Sequence, residues 1–273
     1  MAISILNNIP SLVAQNQLSI TQSNLQKTLF ELSSGSRINS GADDAAGLAI
    51  ADGLGANIAA LDQSAQNAND GVGALQVADG SLAQVTTLLD RAVTLATESS
   101  NGTVSNSQRT ALNAEYTAIR AEIDRIGSTA TFNGTSVFTA ATTSIFLSDS
   151  NSSSTISVSV GILATSGTGG LGLTTDLTSD TNAQGALTEI NAAISTVAAT
   201  RGNIGASINR LQAATNVINN QVQNLTAAED GITAADISQV VGNLSRFSIL
   251  DQTGIAALAQ ANSTQQNVLQ LLR

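Results

Sequence analysis

A chain of 273 residues with a formal net charge of −10 and a pI near 4.2 is poorly matched to nucleic acid or an anionic membrane surface, since both require basic patches. Cysteine and histidine are both absent, which removes disulfides, Cys/His zinc sites, thiol nucleophiles and imidazole acid–base chemistry together. Charged residues make up only 11% and aromatics 2%, so the core falls to Leu, Ile, Val and Ala, as in elongated helical packing.

The first segment, MAISILNNIPSLVAQN, has no basic n-region and no small-residue cleavage site after an apolar stretch, so it is not expected to act as a Sec signal. No run of about 18 apolar residues is present to span a bilayer. From Ile9 the apolar residues Leu12, Val13, Leu18, Leu25, Leu29 and Leu32 recur at helical intervals, with Pro10 at the start, where a missing N–H is tolerated. Glycines then cluster in GSRINSGADDAAG (35–47) and GLG (53–55), both candidate joints between helices. Asp43 and Asp44 precede a helical restart at Ala45. They read either as acids complementing the helix N-terminus or as partners of Arg37 across the joint.

A heptad seam follows, with Leu75, Leu82, Leu89 and Ala96 every seven residues and Ala78, Val85 and Ala92 three after the first three. The polar stretch 99–107 breaks it. A shorter helix then runs on Leu112, Tyr116, Ile119, Ile123 and Ile126, and TFNGTS (131–136) ends it in a turn. Between 131 and 180 helical periodicity gives way to Ser/Thr-rich alternation, clearest where Ile156, Val158 and Val160 share one strand face. This region reads as a small β-hairpin excursion with loops, a disordered insert being the rival.

The strongest periodicity runs from Leu187 to Leu225, through Ile190, Ile194, Val197, Arg201, Ile204, Ile208, Leu211, Thr215, Ile218 and Val222. Arg201 breaks the seam either as a snorkelling side chain or as a register-fixing partner of Glu115 or Glu122. The last segment is again amphipathic, on Leu244, Leu250, Leu258, Val268, Leu269 and Leu272. These elements predict a mainly α fold, an elongated antiparallel helical bundle or coiled coil with a small β-hairpin excursion. Apolar patterning at both ends points to assembly rather than chemistry, because termini normally fray and carry polar residues. No catalytic, cofactor or metal constellation is visible. GTGGLG (167–172) lacks the lysine and βαβ context of a phosphate loop, and acid pairs such as Glu229–Asp230 have no pocket motif.

Four segments carry a resemblance to the bacterial flagellins. LSSGSRINSGADDAAGLAIAD (32–52) resembles the family's N-terminal signature, and NANDGVGALQVADGSL (67–82) the start of its first long inner helix. AEIDRI (121–126) with TFNGTSVF (131–138) resembles the second helix and hairpin entry, and NLSRFSILDQTGIAALAQANSTQQNVLQLLR (243–273) the C-terminal signature. Departures are Ser36 and Ala42 where Leu and Lys are common, NSTQQ (262–266) without the usual proline, and AAEDGITAAD (227–236) in place of an Arg-rich spoke. The missing proline leaves the last helix free to continue unbroken.

The resemblance implies a structural filament subunit with no enzymatic activity, exported unfolded without a cleaved Sec signal and assembled outside the cell into a hollow helical tube. It implies a terminal coiled-coil layer, D0 (1–43 and 231–273), and a helical D1 domain (44–230) that includes the 131–180 excursion. The insert leaves no room for further outer domains. Implied partners are other copies of the chain, an export chaperone, a filament cap and hook-junction proteins. A host innate immune receptor is a candidate partner at Arg91, Leu95 and Glu115, which read equally as axial subunit contacts; Val93 replaces an arginine common in recognised flagellins. A hook–filament junction protein is the alternative of the same architecture.

Overall fold

The computed structural model describes residues 8–149 and 154–270, with side chains described as far as Thr264. Among the described residues five helices and four short strands follow in chain order: α1 (Ile9–Ser34), α2 (Ala45–Ser99), α3 (Asn106–Thr129), β1 (Thr131–Phe132), β2 (Thr135–Ser136), β3 (Thr143–Phe146), β4 (Thr155–Val158), α4 (Asp180–Thr233) and α5 (Ile237–Gln270). Local chemistry sets the ends. Asn8 caps α1 by accepting the Ser11 N–H at 3.0 Å, and Gly35, at φ +70°, closes it by donating to the Glu31 carbonyl. Asp44 accepts the Ala46 and Gly47 N–H groups at the start of α2, and Asp236 does the same for Ser238 and Gln239 at the start of α5. Ser105 and Gln108 form a reciprocal capping box on α3. The buried Arg109 guanidinium donates to the Ser99 and Asn101 carbonyls at 2.8 Å each, satisfying the end of α2.

One expectation is corrected here. GLG at 53–55 is not a joint, because α2 runs through it without interruption for 55 residues. A glycine in a helix interior costs only about 1 kcal/mol, which a helix this long absorbs. α5 likewise continues through 262–266 to Gln270, as the absence of proline allows.

The chain packs as two compact units. One is formed from its two ends, up to Ala56 and from Asn224; the other comprises Asn57–Gln223. In the second unit α2 buries Leu61, Ala68, Leu75, Leu82, Leu89 and Ala96 at seven-residue intervals, with Ala78, Val85 and Ala92 beside them. α3 contributes Tyr116, Ile119 and Ile123. On α4 one predicted column, Ile190, Val197, Ile204, Leu211 and Ile218, is fully buried. The other, Leu187, Ile194 and Ile208, is half-buried; near the start of the helix Ala183, Ala186 and Ala193 take the core line instead. Small side chains let a neighbouring backbone approach, so the contact line follows the alanines and the larger residues seal its margin.

The described part of 131–180 is ordered by paired strands and by hydrogen bonds to helices. β1 and β2 are joined by Asn133-Gly134, at φ 49° and 77°, the left-handed pair that a two-residue hairpin turn requires. β3 and β4 pair antiparallel with Ile145 opposite Ile156 and Thr143 opposite Val158. Val160 lies beyond the strand. The Gly-rich loop returns on itself through Leu171 N–H to the Ala164 carbonyl and Leu173 N–H to the Thr165 carbonyl, both 2.7 Å. Asp124 on α3 accepts the Thr165 N–H and hydroxyl at 2.7 and 2.8 Å. Glu189 on α4 accepts both N–H groups and both hydroxyls of Thr174 and Thr175. The Asn113 amide oxygen takes the Leu177 N–H, and the Ser99 hydroxyl donates to the Leu177 carbonyl.

Gly127 on α3 lies against the Leu163 carbonyl oxygen, in the space that a Cβ would occupy. Gly53 has nothing within 4 Å of that position. A Gly127→Ala variant is therefore expected to lose about 1–3 kcal/mol in urea unfolding through overpacking. Gly53→Ala is expected to be neutral or to gain up to about 1 kcal/mol.

Candidate functional site

The first unit is built on α1 and α5, which pack antiparallel. The Asn8 amide donates to the Ala261 carbonyl at 3.3 Å, the Ser11 hydroxyl donates to Asn262 Oδ1 at 2.9 Å, and Leu18 lies 3.1 Å from the Cβ position of Gly254. Heptad positions along this seam are Leu18, Leu25 and Leu32, half-buried, alternating with Thr21 and Thr28, each only 4% exposed. Both threonine hydroxyls donate to their own helix, to the Gln17 and Asn24 carbonyls. α5 offers Val240, buried, with Leu244, Phe247 and Leu258 half-buried on the same line.

The opposite face of the pair is also apolar. Ile9, Leu12 and Val13 are 61–66% exposed and Phe30 is 70% exposed, with Ile20 and Leu29 near half. Across the pair Val241, Ile249, Leu250 and Ile255 are exposed on α5. Large apolar side chains left exposed on both helices are candidates for contact with a partner. The predicted assembly residues thus separate into two groups. Leu18, Leu25, Leu32, Leu244 and Leu258 close the seam within the chain, whereas Leu12, Leu29 and Leu250 stay outward. Leu272 lies outside the described residues, as do the side chains of Val268 and Leu269. Sequence reading passed over Ile20, Phe30, Val241, Ile249 and Ile255, because it followed one apolar stripe per helix and these lie off it.

The joint between α1 and α2 is held to the α4–α5 turn. Arg37 N–H donates to the Thr233 carbonyl at 2.6 Å, Ala235 N–H to the Gly35 carbonyl at 2.9 Å, and the Ser36 hydroxyl to the Thr233 carbonyl at 2.9 Å. The Arg37 guanidinium donates to the Ile232 carbonyl at 2.7 Å, placing a cation at the C-terminal end of α4. It pairs with neither Asp43 nor Asp44, which corrects the second reading of that trio. Asp44 is a helix cap. Asp43 pairs instead with Lys27 at 2.6 Å and accepts from the Asn39 and Ser40 backbones and the Ser40 hydroxyl. Hydrogen bonds from Lys27, then Ser40, then Asn39, lower its pKa to about 2.

Two further expectations change in the second unit. Arg201 pairs with Asp79 on α2, at 2.8 and 3.3 Å, and not with Glu115 or Glu122. Those two carboxylates are occupied by Arg91 across α2–α3 and by Arg125 one turn on. Arg91 and Glu115 form a bidentate, exposed pair at 2.7 and 3.1 Å, whereas Leu95 is 1% exposed. Leu95 is therefore core and not part of a surface patch, because its side chain follows the buried Leu89–Ala92–Ala96 face of α2. Arg91 and Glu115 alone of the three are presented outward.

An open groove of about 520 Å³ lies between α2 at Asn67–Leu75 and the hairpin residues Phe132, Ile145, Phe146 and Val158. No group of three His, Cys, Asp or Glu side chains is placed to hold a metal among the described residues. None of the helices, within those residues, is long and apolar enough to cross a membrane.

Comparison with known proteins agrees over nearly the whole chain. Residues 5–143 match the bacterial flagellin N-terminal helical region and residues 187–272 the bacterial flagellin C-terminal helical region. The flagellin of Halalkalibacterium halodurans is 37% identical over 98% of both chains. A flagellar filament 30.7 kDa core protein of Treponema maltophilum is 32% identical over 97% of this chain and 98% of its own. A crystal structure of Bacillus cereus flagellin matches with a TM-score of 0.50 at 30% identity, covering 60% of this chain and 94% of that one. Paired helical ends and two matched regions define a non-enzymatic structural protein, and the chain belongs to the bacterial flagellin family. It is a structural subunit of the extracellular flagellar filament.

The depressed Asp43 carboxyl gives the joint a defined acid limit. Its pKa is about 2 folded against about 3.9 unfolded, so the unfolded state holds more protons as pH falls. Its contribution is full above the unfolded value and fades as pH drops through the folded one. Carboxyl NMR titration of Lys27→Met should show the Asp43 pKa moving up toward its ordinary value, since the largest cause of the shift is removed.

Proposed function

We propose that the α1–α5 pair is the assembly layer of the filament, D0, and that the helical body between the joints is D1. The single observation carrying this is the two-sided apolar character of α1 and α5. One face is closed by the chain itself, and the other presents Leu12, Phe30, Ile249 and Ile255 to solvent. Other copies of the same chain are its natural cover, because burying apolar area contributes about 25 cal/mol per Å² without demanding directional partners. Unfolded export, the export chaperone, the filament cap and the hook-junction proteins enter this reading through the family resemblance. For Arg91 and Glu115 we favour a contact between subunits over a receptor patch, since burial of Leu95 removes the apolar member of the receptor triad.

Charge supports an apolar rather than ionic cohesion. Lys27, Arg91, Arg125 and Arg201 are held in ion pairs within the chain, and Arg37 and Arg109 on carbonyls, out of ten cationic residues in a chain of net charge −10. Subunits therefore repel as they meet. Raising salt from about 0.05 to about 0.5 M is expected to lower the critical concentration for polymerisation by screening. Sedimentation after seeding measures it, and a rise would mean that intersubunit ion pairs dominate. A Leu12→Asp, Phe30→Asp double variant should stay monomeric under the same seeding while keeping the wild-type unfolding of residues 57–223. Normal filaments from that variant would overturn the assignment of the outward face.

A further inference from the structure

The α1–α5 seam contains one residue that works against it. Asp251 falls in the seam series Val240, Leu244, Phe247, Asp251, Gly254, Leu258, where every other member is apolar or glycine. Its Oδ1 is buried and has no hydrogen-bond partner among the described residues. The register set by Leu18 against Gly254 and Ser11 against Asn262 places Thr21 of α1 level with Asp251. Thr21 cannot supply the missing donor, because its hydroxyl already donates to the Gln17 carbonyl at 2.9 Å. One turn away Gly254, a helix-disfavouring residue, weakens α5 again where Leu18 lies 3.1 Å from the position a Cβ would take. The middle of the seam thus holds a carboxylate with one buried, unpartnered oxygen in a series whose other members are apolar or glycine.

We infer that Asp251 is a built-in destabiliser that keeps the α1–α5 pair open in the free subunit, so that the pair closes only when a second copy covers its outer face. An unsatisfied buried acceptor lowers the closed population by roughly tenfold or more, and an isolated two-helix pair has little stability to spare. Cover from neighbouring copies offsets that penalty in the filament, where the outer apolar face is buried as well. The inference rests on the assembly role proposed for this pair, and it locates the control of assembly in a single side chain.

The test is amide exchange on full-length monomer together with unseeded polymerisation. Asp251→Leu is expected to raise protection across 9–34 and 237–264 by about tenfold or more and to shorten the polymerisation lag. Asp251→Ala, which removes the carboxylate without adding bulk, should do the same with smaller amplitude and serves if the leucine variant misfolds. Thr253→Ala, a comparable gain in helix propensity on the exposed face, sets the baseline and should change little. Protection in Asp251→Leu or Asp251→Ala no greater than in Thr253→Ala would overturn the inference. Failure of the underlying assembly reading is distinguishable, because it would show as normal filaments from the Leu12→Asp, Phe30→Asp variant whatever residue stands at 251.

Discussion

The structure of the first unit depends on the hydrophobic effect acting on helices that have two apolar faces and a single partner within the chain. α1 and α5 hide one face each against the other, while apolar side chains outside that seam stay exposed. Their seam reflects that division. Inside it the fully buried positions of α1 are threonines, while some of the largest side chains, Phe30, Leu12 and Ile9, point away. An ordinary two-helix seam would invert this distribution. Here large apolar side chains remain outside the seam, where the internal contact does not reach them.

The second unit follows a different logic. Its helices meet along alanine-containing lines, and the chain that crosses between α3 and α4 is fixed by hydrogen bonds to both helices together with buried side chains such as Leu163, Leu173 and Leu177. Burial works to raise the Glu189 pKa, and the hydrogen bonds from Thr175 and Thr174 outweigh it, leaving the value lowered. One carboxylate thereby orders two residues of loop that carry no regular structure. Few aromatics are needed in such a body, and Tyr116 is the largest side chain fully enclosed in it.

Periodicity made most of this legible beforehand. The seven-residue repeats of Leu75, Leu82 and Leu89 and of Ile190, Ile204 and Leu211 survive intact as core because a long helix has few ways to bury such a stripe. Glycines misled at 53–55, where a turn signal sat inside a helix long enough to ignore it. Pairings of charge were the least legible. Arg201 chose Asp79, Asp43 chose Lys27, and Arg37 chose a backbone carbonyl, because each choice depends on rotation about long axes that sequence spacing does not determine. The outward stripe on α1 was visible in the letters but had no competitor to reveal it; an apolar residue on a helix reads as core until burial shows otherwise.

Lys27 carries a last consequence. It is the only lysine in the sequence, and its ammonium is engaged by Asp43, whose hydrogen bond is the largest influence raising its pKa. The chain therefore owns one side-chain amine, at the base of α1, with its nucleophilic free form suppressed while the joint is closed. Besides the chain's α-amine, acylating reagents would find one side-chain address on every subunit, and the speed at which they reach it would register the opening of its ion pair with Asp43, turning an inconspicuous contact into a chemical clock.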